Sequence, residues 1–85
     1  MSTITVLYFA RLREAVGIAE ETITLPPAVD TAARLLAHLA EGDEQKRTAF
    51  DNQKIRIAVN QVQATPQTPV KPGDEVAFFP PVTGG

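Results

Sequence analysis

Two segments near the ends of the chain are apolar on both faces. In Thr3-Ile4-Thr5-Val6-Leu7-Tyr8-Phe9, alternation places Ile4, Val6 and Tyr8 on one side of an extended strand, with Thr5, Leu7 and Phe9 on the other. In Glu75-Val76-Ala77-Phe78-Phe79, Val76 and Phe78 oppose Ala77 and Phe79. β-Branched and aromatic residues dominate both segments, as strands prefer. A strand with two apolar faces suits the middle of a sheet, or a sheet whose outer face meets a partner. Both strands must therefore be accommodated centrally, and 85 residues leave room for one domain to do it.

The intervening chain supplies what such a sheet needs. Ala10 to Val16 reads as a short helix with Leu12 and Val16 on one side, stopped by Gly17. Glu21 to Leu25 alternates as a second strand, with Ile23 and Leu25 inward, and ends at Pro26-Pro27. Asp30 is the expected cap of a helix running through Ala40, where Ala32, Leu35, Leu36 and Leu39 form a buried stripe. Asp43 to Phe50 reads as a further short helix. Lys54 to Val59 is a third strand, with Ile55, Ile57 and Val59 on one face. Asn60-Gln61 turns it into a short strand near Val62, and Thr65 to Lys71 is a polar loop. Pro72-Gly73 fits the centre of a type II turn, because glycine accepts the positive φ. Two hairpins around one main helix, with first and last strands adjacent and parallel, make a small mixed sheet covered on one face. The expected class is α+β, a β-grasp or ubiquitin-like arrangement, with a domain over residues 1–81 and a tail over 82–85.

Composition removes several function classes. Apolar residues make up 44% and charged residues 21%, which is globular rather than disordered. A net charge of −2 gives no electrostatic hold on nucleic acid or an anionic membrane. Lys46-Arg47 and Lys54/Arg56 are too sparse for a nucleic-acid patch. No apolar run is long enough to span a bilayer, and the N-terminus lacks the pattern of a secretory signal. Cysteine is absent, which removes disulfides and thiolate chemistry and suits the cytoplasm. One histidine leaves little to build a zinc site from. His38 lies off the Leu35/Leu39 stripe, as a surface or boundary residue. Glu20, Glu21, Glu41, Asp43 and Glu44 read as solvated faces, as does the strand start at Asp74-Glu75. None of these carboxylates has a partner motif for acid–base work. There is no phosphate loop, so no ATP site is expected in this chain.

The end of the chain is chemically distinctive. Pro80-Pro81 favour an extended path out of the last strand, and six residues from Pro80 to Gly85 reach roughly 20 Å. Gly84-Gly85 has no side chains, so it is thin enough for a narrow channel. The reactive group at its tip is the Gly85 α-carboxylate, a poor electrophile until activated, for example as an anhydride with AMP. A sulfur nucleophile attacking that anhydride would leave a thiocarboxylate. In a chain without cysteine, the terminus would be the only sulfur carrier. If Ile4, Val6, Tyr8, Val76 and Phe78 face the helix, then Leu7, Phe9 and Phe79 face out beside the tail, a patch suited to a partner.

The stretch Asp74-Glu75-Val76-Ala77-Phe78-Phe79-Pro80-Pro81-Val82-Thr83-Gly84-Gly85 resembles the C-terminal signature of the small, sulfur-carrier subunits of molybdopterin synthase. Tyr8-Phe9-Ala10 followed by Arg13-Glu14 resembles that family's strand-end motif, and Val59-Asn60-Gln61 its third-strand turn. The middle, roughly 19–52, matches only in pattern. The resemblance implies that a ubiquitin-activating-like adenylating enzyme consumes ATP to adenylate Gly85, and that a sulfur donor protein supplies the thiocarboxylate. The tail, Pro81, Val82, Thr83, Gly84 and Gly85, then enters the large catalytic subunit, within a heterotetramer. There the sulfur passes to cyclic pyranopterin monophosphate, building the dithiolene of the molybdenum cofactor. Neither a stably bound cofactor nor a metal is implied, and the small subunit brings no catalytic side chain of its own. Leu7, Phe9, Phe79 and Arg13 are the expected partner contacts. The family often has an apolar residue where this chain has Gln63, a departure at the edge of the patch. A protein modifier joined to lysines, a thiamine-pathway sulfur carrier, and a β-grasp binding module with an inert tail are the alternatives. Phe78-Phe79-Pro80-Pro81-Val82-Thr83 before the glycines favours the molybdenum pathway.

Overall fold

A computed structural model describes residues 2–51 and 54–81. The elements run β1 (Thr3–Tyr8), α1 (Ala10–Val16), β2 (Glu20–Thr24), α2 (Ala32–Glu41), α3 (Glu44–Asp51), β3 (Arg56–Val59), β4 (Val62–Ala64) and β5 (Glu75–Phe79). One mixed sheet has the order β2-β1-β5-β3-β4. β1 and β5 pair in parallel at its centre, Val6 opposite Val76 and Tyr8 opposite Phe78, and the other pairings are antiparallel. This is the expected α+β, ubiquitin-like arrangement.

The inner sheet face and three helices share one core. Ile4, Val6, Tyr8, Val76, Phe78 and Ile57 meet Leu12 and Val16 of α1, Ala32, Leu35 and Leu39 of α2, and Ala49 and Phe50 of α3. The rings of Tyr8, Phe50 and Phe78 pack with centroids 6.1–6.3 Å apart, within the range of favourable aromatic contact. Gly17 closes α1 in the left-handed region at φ 93, its N–H donating to the Arg13 carbonyl. A Cβ there would also stand 3.2 Å from the Gln45 side chain, which donates to the Ala15 carbonyl and ties α3 to α1.

Four expectations need correction. The cap of α2 is Thr31, not Asp30: its hydroxyl accepts from the Arg34 N–H at 3.2 Å. The 65–70 loop decides this, because the Thr68 and Pro66 carbonyls accept from the Ala32 and Ala33 N–H groups and so hold the helix start. Asp30 instead pairs with Arg34 across one helical turn. Glu21 is not a solvated face. It accepts from the Tyr8 hydroxyl at 2.7 Å and meets the Lys46 ammonium at 2.5 Å. Burial pushes the Tyr8 hydroxyl well above its ordinary pKa, and the Glu21 carboxylate adds to the effect. Lys46 is buried, its charge compensated there by Glu21. Asp43 caps α3, accepting from the Lys46 N–H. Asp74, expected in solvent, is 5% exposed.

Asp74 is drawn inside by the turns it joins. Its carboxylate accepts from the Asn60 side chain at 3.0 Å, the Lys71 N–H at 3.0 Å and the Lys71 ammonium at 3.2 Å. Asn60 and Gln61 both have positive φ, 51 and 69, the backbone of a two-residue hairpin turn. Asn60 tolerates this conformation well, and its side-chain oxygen accepts from the Glu75 N–H. The clasp therefore locks the β3–β4 turn onto the start of β5. Burial alone raises the Asp74 pKa, but the Asn60 and Lys71 donors outweigh it and hold the carboxyl below its ordinary value. A depressed folded pKa contributes stability above the unfolded value, about 4, that is lost as pH falls through the folded one. Thermal melts of wild type and Asp74→Asn should therefore differ in pH dependence. Wild type should lose more of its Tm between neutral pH and about pH 3. Equal losses would contradict the clasp.

Candidate functional site

The outer sheet face follows from strand register. Leu7 of β1 lies opposite Ala77 of β5, which lies opposite Ala58 of β3, which lies opposite Gln63 of β4. The next row toward the tail contains Phe79 opposite Arg56. Phe9, just past β1, donates its N–H to the Phe78 carbonyl at 3.2 Å, which places it beside Phe79. Ala10 follows with φ 54, a left-handed value that turns the chain from β1 into α1. Phe9 is 47% exposed, while Leu7, Ala77, Ala58 and Phe79 are half-buried. Because side chains alternate, packing Ile4, Val6, Tyr8, Val76 and Phe78 inward forces Leu7, Ala77 and Phe79 outward.

The structure thus brings Leu7, Phe9 and Phe79 onto one face at the end of β5 where the chain leaves the sheet. Arg13 is exposed on α1, next in sequence to this end of β1. Pro81, the first of the expected tail residues, lines a groove with Lys54, Arg56, Gln63 and Pro66. Val82, Thr83, Gly84 and Gly85 lie outside the described residues.

Lys54, Arg56 and Gln61, which are not among the partner contacts expected from sequence, join the site. Arg56, Ala58, Gln61, Gln63 and Phe79 line a shallow pocket on the outer face, contiguous with the apolar patch. The signal was present in β3: Ile55 and Ile57 point inward, so Lys54 and Arg56 must point outward. What the sequence lacked was the strand order that sets β3 beside β5. Gln63 makes the β4 edge of the face polar. Among the described residues, no group of three or more His, Asp or Glu side chains is placed to hold a metal, and no helix is long and apolar enough to cross a membrane.

Known proteins share this fold and much of this sequence. The model of the ThiS family matches residues 6–85. The molybdopterin synthase sulfur carrier subunit of Escherichia coli is 43% identical over 83 residues, covering 96% of this chain and 99% of the relative. That of Haemophilus influenzae is 40% identical over 82 residues, with the same coverage. A solved structure described as subunit 1 of a molybdopterin converting factor from Pyrococcus furiosus superposes with a TM-score of 0.77 at 30% identity. It covers 96% of this chain and 100% of that one.

Proposed function

The chain belongs to the ThiS family, and on that premise we propose that it is the sulfur-carrying subunit of a molybdopterin synthase. The observation that carries the reading is the pair of curated relatives with that function, matched over nearly the full length at 40–43% identity. The fold supports it: β5 runs through the core and delivers the chain to Pro80-Pro81 beside Phe9 and Phe79.

The chemistry follows from the terminal carboxylate. The Gly85 carboxylate attacks the α-phosphate of ATP on an adenylating enzyme, pyrophosphate leaves, and an acyl-adenylate forms. Sulfide released by a donor protein attacks the acyl carbon, the bond to the AMP oxygen breaks, and AMP leaves the terminal carbonyl carrying sulfur as a thiocarboxylate. The charged tail then enters the large synthase subunit, where its sulfur is transferred to cyclic pyranopterin monophosphate. Once that sulfur is bonded to the substrate, water hydrolyses the acyl–sulfur bond, so the sulfur stays behind and the carrier leaves as a carboxylate. Leu7, Phe9 and Phe79 supply apolar contact to the partners, Arg13 a charge, and residues 81–85 reach the reacting centre. ATP is consumed on the partner enzyme, and the cycle runs in the cytoplasm.

Intact-mass measurement tests the reading. After incubation with ATP, the adenylating enzyme and a sulfur donor, the chain should gain the mass difference of one oxygen-to-sulfur exchange, localised to Gly85. An unchanged mass would refute it. Isopeptide-linked adducts on other proteins, without the exchange, would instead support a protein modifier.

A further inference from the structure

The sequence contains eight lysines and arginines. Four of them meet carboxylates: Arg34 with Asp30 at 2.7 Å, Lys46 with Glu21 at 2.5 Å, Arg47 with Glu44 at 3.9 Å, and Lys71 with Asp74 at 3.2 Å. The other four, Arg11, Arg13, Lys54 and Arg56, are exposed and make no ion pair among the described residues.

All four belong to segments that meet the tail-exit end of the sheet. β1 and β5 are parallel, so the end of β1, where α1 begins, lies beside the end of β5. That brings Arg11 and Arg13 to one side of the exit. On the other side, Arg56 lies opposite Phe79, and Lys54 shares a groove with Pro81. Nearby acids compensate only in part. Glu14 lies on α1, Asp51 ends α3, and Glu20 sits on the edge strand β2, two strands from β5. On the β3 side, the pocket around Phe79 is lined by Arg56 and two glutamines and contains no carboxylate. A chain of net charge −2 thus gathers around the point where it leaves the sheet the cations that make no ion pair among the described residues.

We propose that these four side chains form a basic collar that docks against an acidic rim around the opening the tail enters, on the large synthase subunit. The inference rests on the function proposed above and adds the charge of the partner's surface to it. Four charges flanking Phe9 and Phe79 suit a protein surface with an apolar centre and a charged margin. Nucleic acid would favour a denser basic stripe. Rim charges act mainly on encounter, steering and orienting the partners so that the tail is presented to the opening before apolar contacts form.

The test uses the full chain and the purified large subunit. Association rates are measured for wild type, Arg56→Glu, Arg11→Glu and Arg47→Glu, each confirmed as folded by circular dichroism. Arg47 lies on α3 outside the collar, so its variant carries the same charge change elsewhere. At about 50 mM salt, Arg56→Glu and Arg11→Glu should each associate about tenfold more slowly than wild type. The gap should shrink severalfold near 0.5 M salt, where charges are screened within about 4 Å. Arg47→Glu should stay within about twofold of wild type at both salts. Collar variants that behave like Arg47→Glu, or deficits independent of salt, would overturn the collar. So would a single-stranded DNA oligonucleotide that binds wild type as tightly as the large subunit does. The mass measurement on wild type separates the two levels. Sulfur uptake at Gly85 with unaffected charge-swap variants removes only the collar, whereas no uptake removes the function.

Discussion

Deleting Gly85 is expected to bring sulfur transfer down to the rate seen without the chain, while leaving the folded domain intact. The proposed reaction forms and breaks bonds at the terminal carboxyl carbon. Moving that group back by one residue shortens the reach by about 3.5 Å, and displacements of about 1 Å already cost roughly a hundredfold in positioned reactions. Appending one alanine after Gly85 should do the same, because the new carboxylate carries a Cβ and overshoots the reacting centre. Neither change touches the clasp at Asp74 or the core, whose residues run from Ile4 to Phe78. Stability should therefore change by no more than about 0.5 kcal/mol. The checks are a product assay with the large subunit and a thermal melt. Full activity in either variant would mean that another group carries the sulfur.

Phe78→Ala should have the largest effect on stability. Phe78 is 0% exposed, lies opposite Tyr8 in the central parallel pair, and packs against both Tyr8 and Phe50. Truncating a fully buried phenylalanine costs about 3–5 kcal/mol, from lost transfer energy plus the cavity left behind. A domain of this size has a total stability on the order of 5–10 kcal/mol. The variant should thus lose much or most of it, read as a lower denaturation midpoint at an unchanged slope. Phe79→Ala, one residue on, provides the contrast. Its side chain is on the outer face, so its stability loss should be much smaller and its defect should appear in partner binding. Equal destabilisation by the two substitutions would contradict the assignment of faces.

The contrast between Phe78 and Phe79 is legible in the sequence alone. Period-two alternation in β1 and β5 is a local property, and it sorted Ile4, Val6, Tyr8, Val76 and Phe78 from Leu7 and Phe79. The stops at Gly17 and Pro72-Gly73 were legible for the same reason, since each depends on its own backbone angles. Gly17 and Gly73 take the positive φ that such positions require.

Local sequence does not reveal the role of a polar residue that answers to a distant one. Glu21 looks like any strand carboxylate until β1 and α3 bring Tyr8 and Lys46 to it. Asp74 looks solvated until the β3–β4 hairpin brings Asn60 across fourteen residues of sequence. Asp30 and Thr31 are both plausible caps on local grounds, and the 65–70 loop chose between them.

By itself the sequence determined which segments form strands and helices, which strand faces turn inward, and that Gly84-Gly85, with no side chains, follows the last strand. Those properties depend on backbone sterics and on neighbours a few positions away. Tertiary structure alone decided that β3 lies beside β5, that Arg56 stands opposite Phe79, and that Arg11, Arg13, Lys54 and Arg56 gather where the chain leaves the sheet. Strand order and charge pairing depend on contacts between residues far apart in sequence, whose energies are settled only when the whole core closes.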